Sequence, residues 1–325
     1  MGRIIQVKDE SHSPSKIGLV FAGGGGKGAY QVGVWKAIQE YELDQRITAV
    51  SGTSVGALNG VLFASSSVDR ARDVWLNIYP DKILSIDLSS WHRKFHNNFF
   101  NIPQSTVELF AGRGVFSRKG LTEIIQQSVH LSLINTHSMP VYATAYDAKT
   151  RQAHYFLLNC LSDEEKLKAL LASAALPFVF DPVIIHNQTY WDGGLVDNTP
   201  ITPLYDMGCS TILVVHLNRM AIIDKSKYPD AKIIEIFPKD SLGAFFDGTL
   251  DFSPANARIR MEQGYRDAKC ILEPIYRMMQ TQVKLLKKVS EFVQEEEGTF
   301  YELKKVLSDR EELKKTLRGV LNETE

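Results

Sequence analysis

The sequence predicts an α/β protein built on a mainly parallel sheet, with helices added at its C-terminal end. Three observations carry that expectation. From residue 16 onward, short apolar runs alternate with segments of helical period. Glycine-rich turns stand at the first two strand-to-helix junctions, Gly23–Gly28 and Gly52–Gly56. After Pro254 the composition turns helical. Strand, helix, strand, helix in short order argues for a parallel sheet covered by helices.

Residues 1–15 are polar and patternless, a loose leader. Ile17 to Phe21 is a buried strand that runs into the glycine loop. From Gly28 to Tyr41, Val32, Trp35 and Ile38 recur at helical spacing. Ile47–Ser51 is strand-like again, and Val55–Ala64 helical. The stretch from about Pro80 to Gly114 has no clear period and holds Trp91, Phe95, Phe99, Phe100 and Phe110. Order returns with a helix near Arg118–Gln127, strands at Val141–Tyr146 and His154–Leu158, and a helix over Asp163–Ala174. Further strands are expected at Ile212–His216 and Lys232–Phe237. Pro274 and Gly298-Thr299 interrupt the helical C-terminal part, which suggests two amphipathic helices there. The resulting division is a leader at 1–15, a main domain at 16–273 and a helical extension at 274–325.

Composition narrows the function classes. The 325 residues are 44% hydrophobic and 23% charged, which fits an ordinary globular chain. A formal net charge of −1 supplies no bulk field for nucleic acid, so no nucleic-acid partner is expected. Three scattered cysteines, Cys160, Cys209 and Cys270, form no CxxC pair and suit a reducing compartment. The N-terminus lacks an apolar signal region, and no apolar run approaches the 18 residues of a membrane span. The expected location is the cytoplasm, with peripheral contact to membranes. No cofactor and no metal are expected: His92 and His96 are spaced i, i+4 but lack the Glu of a zincin motif.

Three motifs carry chemistry. Gly52-Thr53-Ser54-Val55-Gly56 is a G-x-S-x-G between a strand and a helix. Small neighbours permit the sharp turn that lifts a serine hydroxyl above the sheet edge, and the Val55 amide then faces a developing oxyanion. Gly23-Gly24-Gly25-Gly26-Lys27-Gly28 formally matches G-x-G-x-x-G. A dinucleotide site would want an acidic residue after the next strand, but that strand ends in Ser51-Gly52. A phosphate-binding Walker loop fails too, with Phe21 in the place of its first Gly and Gly28 in the place of Ser or Thr. The loop reads better as an oxyanion hole, with Lys27 either an anion partner or a solvated charge. The third motif, Asp192-Gly193-Gly194, follows an apolar stretch. Alone it is a turn; beside a nucleophile and an oxyanion loop, Asp192 is the candidate base.

These motifs, in type and order, resemble the patatin-like phospholipases. Ala172-Ser173-Ala174-Ala175-Leu176-Pro177, Phe180-Asp181-Pro182 and Asp197-Asn198-Thr199-Pro200 extend the resemblance, which covers roughly Lys16 to Asn218. It implies a Ser–Asp dyad lipid acyl hydrolase of phospholipase A type on a three-layer α/β/α core. Ser54 would be the nucleophile, Asp192 the general base, and the amides of Gly24, Gly25 and Gly26 the oxyanion hole. The implied partner is a phospholipid or another lipid acyl ester. Two alternatives stay open: an esterase or thioesterase acting on soluble acyl groups, and a membrane-degrading effector switched on by a ligand or protein partner. Phe95, Phe99 and Phe100 beside Arg93 and Lys94 form either an interfacial patch or core packing.

Overall fold

The computed structural model describes residues 16–78, 119–177 and 179–322. The leader at 1–15, the aromatic stretch from Trp91 to Phe110, and His92 and His96 lie outside the described residues.

Eight strands form one sheet. β1 (Ile17–Phe21) lies between β2 (Ile47–Thr53) and β7 (Thr211–Val215), parallel to both. Buried on both faces, β1 carries the unbroken apolar run IGLVF rather than an alternating one. β8 (Lys232–Ile236) extends the parallel part beyond β7, and β3 (Val141–Asp147) extends it beyond β2. β4 (Gln152–Leu157) and β6 (Gln188–Asp192) run antiparallel to β3, and β5 (Val183–Ile185) runs antiparallel to β6. The β5–β6 hairpin turns through His186 and Asn187, both with positive φ (47° and 61°), the two-residue turn whose twist matches the strands.

One register relationship shapes the site. β4 pairs with β3 along Tyr142–Asp147 and so fills one edge of it. β2 pairs with β3 at Val141–Thr144, and β6 pairs with it at Ala145–Asp147. β2 and β6 therefore abut end to end along the other edge. Thr53 stands opposite Thr144 and Asp192 opposite Ala145, adjacent positions on β3.

Helices cover both faces. Phe21 meets Phe63 of α2 (Val55–Ser65) at 6.2 Å between ring centroids, and Phe63 meets Trp35 of α1 (Ala29–Glu40) at 5.0 Å. Val20, pointing the other way, packs in a buried cluster with Ile201, Leu204, Ile212 and Val214. Leu204 belongs to the short helix at Thr202–Asp206. Two further helices are α3 (Val68–Leu76) and α4 (Lys119–Ser128), the former unforeseen from the sequence. α5 (Asp163–Ser173) starts at a capping box in which Ser162 and Glu165 satisfy each other's backbone amides. With Thr202–Asp206 counted as α6, the last helix is α7 (Pro254–Asn322). The chain forms two compact units, residues 1–272 and 273–325, and α7 supplies residues to both.

α7 corrects one expectation: it is a single helix, not two. A glycine stops a helix by turning left-handed, and Gly298 does not adopt a positive φ. It leaves only a propensity cost of about 1 kcal/mol relative to Ala. Pro274 removes one backbone donor inside the helix without ending it. Among the described residues, no helix is long and apolar enough to cross a membrane.

Candidate active site

The site assembles where β1, β2 and β6 end. Ser54 sits between β2 and α2 with φ 57° and ψ −125°, a conformation that costs a non-glycine residue about 1–3 kcal/mol. The flanking glycines make the turn possible. A Cβ on Gly52 would overlap the backbone of Gly56, and one on Gly56 would overlap the Phe21 carbonyl. The Ser54 amide donates to Ser173 Oγ at 2.8 Å, and the Ser54 carbonyl accepts from Ala57 N at 3.0 Å. Val55 opens α2, so its amide belongs to the first turn, where no intrahelical acceptor exists.

Asp192 closes β6. Its amide donates to the Ala175 carbonyl at 3.0 Å, and its Oδ1 accepts from Gly194 N at 2.7 Å. The Ser54 side chain lies close enough to the carboxylate to favour its charged form. Burial pushes its pKa up to about 6, and the Gly194 amide and the nearby Ser54 hydroxyl restrain the rise. Gly193 lies flat against the Thr144 carbonyl, where a Cβ would collide. Among the described residues, no histidine hydrogen-bonds Ser54 or Asp192. His216 is buried elsewhere, bound to Glu235 at 3.0 Å and stacked on Phe237.

The glycine loop passes beside Ser54. A Cβ on Gly23 would lie 3.4 Å from that of Ser54. Gly25 has φ 57°, open to glycine at little cost, and any side chain there would strike the Thr249 carbonyl. Gly24 rests on Leu217, Gly26 on the Asp251 carbonyl, and Gly28 between Val55 and Trp75. Lys27 is no freely solvated charge. It is partly buried against Gly248, and burial lowers its pKa, as does the Arg260 cation, with Asp247 opposing.

Several residues that hold this arrangement were given no role by the sequence. Arg260 Nη1 donates to the Gly26 carbonyl at 3.1 Å and to the Asp251 carbonyl at 2.7 Å. Its Nη2 reaches the Asp247 carbonyl at 2.7 Å and the Asp251 carboxylate at 2.9 Å. A buried amide chain supports the loop from behind. Asn59 donates to the Gly28 carbonyl and to Gln31, Gln31 donates to the Ala22 carbonyl, and Trp75 donates to Asn59. Asn198 joins the glycine loop to the Asp192 loop: Gly23 N donates to its carbonyl, and its side-chain amide returns a bond to the Gly23 carbonyl, both 3.2 Å. Asp197 beside it accepts from Tyr155 at 2.7 Å, and its carbonyl accepts from Thr53.

The patatin-like phospholipase family profile matches residues 19–205 of this chain, more than half its length. The chain belongs to the patatin-like phospholipase family. Among its relatives is the neuropathy target esterase sws of Drosophila melanogaster, 26% identical over 66% of this chain and 14% of that protein. The lysophospholipase NTE1 of Cryptococcus neoformans is 24% identical over 66% of this chain and 12% of that protein. The chain thus spans only about an eighth of the length of these two relatives. Among solved structures it is similar to VipD from Legionella pneumophila, with a TM-score of 0.45 and 13% identity over 80% of this chain and 67% of that one. Human GIVD cytosolic phospholipase A2 gives a TM-score of 0.41 and 10% identity over 83% of this chain and 59% of that one. The residues from Gly23 to Asn198 fall within the matched patatin-like region, whereas Leu217, the 247–251 segment and Arg260, which hold the glycine loop, lie beyond it.

Proposed function

We propose that this chain hydrolyses acyl esters of glycerophospholipids through a Ser54–Asp192 dyad. The observation that carries the reading is a serine held in a strained elbow beside a buried carboxylate, the two brought together where β2 and β6 meet on β3. A carboxylate at its ordinary pKa is a poor acceptor for a serine proton; one raised to about 6 by burial is better matched to the task.

Ser54 Oγ attacks the ester carbonyl while Asp192 takes its proton. The negative charge that forms on the carbonyl oxygen is stabilised by the amides of Gly24, Gly25 and Gly26 and by that of Val55. Protonated Asp192 gives its proton to the leaving alkoxide, which departs as the lyso-lipid alcohol and leaves the acyl group on Ser54. Water then attacks the acyl-enzyme with Asp192 again as base, releasing the fatty acid and restoring Ser54. A small apolar cavity of about 50 Å³, lined by Val55, Leu58, Leu62, Trp75, Ile125 and Phe252, gives the residue after the nucleophile an apolar flank. The names of the lysophospholipase relatives support the same substrate class.

The deciding experiment pairs fluorophosphonate labelling with lipid turnover. Wild type should be labelled and should release fatty acid from phospholipid vesicles, and Ser54→Ala should do neither. Asp192→Asn should be nearly as inactive, since the amide keeps the shape and removes the basicity. Turnover in Ser54→Ala within about tenfold of wild type would sink the dyad, because losing a nucleophile that acts with its base costs on the order of 10⁶. Faster turnover of monomeric than of vesicular substrate would favour the soluble esterase. Activity that appears only with a cell extract would favour the partner-activated effector.

A further inference from the structure

Residues 278–315 of α7 carry an exposed apolar face, and its period identifies the kind of partner. Thirteen large hydrophobic side chains between Met278 and Leu313 are exposed. Placing Leu286, Val293, Phe300 and Leu307 at heptad position a and Val289 and Leu303 at d puts eleven of the thirteen on a, d or the neighbouring g positions. An apolar stripe that keeps a seven-residue period over five heptads, with a and g largely apolar and d apolar at Val289 and Leu303, is the mark of a helix that winds on another helix. The segment holds eight Lys or Arg and eight Asp or Glu, so it has no net charge to draw it to an anionic bilayer. At roughly 80 Å² of apolar surface per such side chain, the face offers on the order of 900 Å², comparable with the ~800 Å² each partner gives to a stable interface.

We infer that this helix pairs antiparallel with the same helix of a second copy of the chain. Its own sequence argues for both the copy and the direction. In a parallel pair the apolar g positions would meet the partner's e positions, which apart from Val283 are Ser290, Glu297, Lys304 and Glu311. Glu296 and Arg310, both at d, would each stack on their own duplicate in the seam. An antiparallel pair brings g against g, apolar on apolar, carries Arg310 far from its duplicate, and sets each Glu296 against Phe300 of the other copy rather than directly on its own duplicate. Centred near Gly298, it also sets the basic cluster Lys284, Lys287 and Lys288 beside the acidic stretch Asp309–Glu312 of the other copy. Val293 then faces Leu303 of the second copy, and Leu307 faces its Val289. Such an interface is isologous, and so it closes at two.

Sedimentation equilibrium of the full chain at micromolar concentration tests the pairing. A dimer is expected, and Val293→Asp with Leu303→Asp should give a monomer that still hydrolyses a short soluble ester at the wild-type rate. Direction is read by oxidation in a background lacking the three native cysteines. Val293→Cys together with Leu303→Cys should form a covalent dimer, whereas Val293→Cys alone should not. The two positions are too far apart along one helix, about 15 Å, to bridge within a chain. A monomeric wild type overturns the inference, including one whose helix binds phosphatidylcholine or phosphatidylserine vesicles instead. Efficient cross-linking by Val293→Cys alone overturns the antiparallel direction.

Discussion

The backbone amide of Ser54 donates to the hydroxyl oxygen of Ser173 across 119 residues of sequence. The bond fixes the strained nitrogen side of the elbow from the end of α5, a helix that also packs against β3 and β6. Ser173 is fully buried, so no solvent stands ready to replace its oxygen. Ser173→Ala should therefore strand a buried donor and lower stability by about 1–3 kcal/mol. It should also lower kcat more than it raises KM, because the loosened Ser54 no longer holds its hydroxyl toward Asp192. Chemical denaturation and steady-state kinetics on a soluble ester check the two halves. A variant with normal kcat would show that the elbow holds itself.

Arg260 plays the matching part for the glycine loop. Its guanidinium makes four bonds in two directions, three of them to carbonyls of the segments it joins. A lysine keeps the charge but cannot present that fork. Arg260→Lys should thus release Gly26 from the 247–251 segment, costing at least about 2 kcal/mol of stability. Fluorophosphonate labelling of the folded variant should slow, since the loop amides lose their fixed aim. Labelling at the wild-type rate would mean that the loop is held by its own packing.

What could be read from the sequence follows from the range of the constraint. Ser54 and the Gly23–Gly28 loop were legible because a sharp turn and a close backbone approach impose residue types on immediate neighbours. Asp192 was legible only in company, since Asp-Gly-Gly by itself is a turn. The end-to-end meeting of β2 and β6 on β3, which brings Ser54 to Asp192, is a matter of register, and no local pattern encodes it. The same holds for Arg260, 234 residues from Gly26, and for the Asn59–Gln31–Trp75 chain. Ser173 and Asn198 lay within stretches that pointed to the family, but nothing in their spacing stated their bonds. α7 was misread because Pro274 and Gly298 were treated as stops, when neither position adopts a terminating conformation.

α1 and α7 cross at two glycines. A Cβ on Gly33 would overlap the Met261 carbonyl, and one on Gly264 would overlap the Tyr30 carbonyl. Both obstacles are backbone, which cannot rotate away as a side chain can. Gly33→Ala should force the helices apart and disturb the buried Tyr30–Asp267 hydrogen bond beside the crossing. In a solvated helix the same change would gain up to about 1 kcal/mol of helix propensity; here a net loss of about 1–3 kcal/mol is expected. Thermal unfolding decides it, and a Tm at or above wild type would show that the crossing has slack.

Asp192 lets function and stability be separated in one variant. Its carboxyl is raised from 3.8 to about 6 by burial, so the folded protein holds the proton more tightly than the unfolded chain does. Between those two values the native state binds more protons, and stability falls as pH rises. Above about pH 6 the ionised group leaves the fold some 2–3 kcal/mol less stable than it would be with the group neutral. Asn cannot ionise, yet it keeps an oxygen to accept the Gly194 amide. Asp192→Asn should therefore raise the unfolding free energy at pH 7.5 by on the order of 2 kcal/mol, with little gain at pH 4. Activity should move the opposite way. For wild type, kcat/KM should rise with pH through a limb near 6 as the base loses its proton, and the Asn variant should show no such limb because it has almost no rate. Denaturant melts at the two pH values, run beside a pH–rate profile, test both. An Asn variant less stable than wild type at pH 7.5 would mean that the carboxylate is held by interactions stronger than its burial cost. An acid limb near 4 would mean that the group titrates as if solvated, and the raised basicity assigned to it would have to be abandoned.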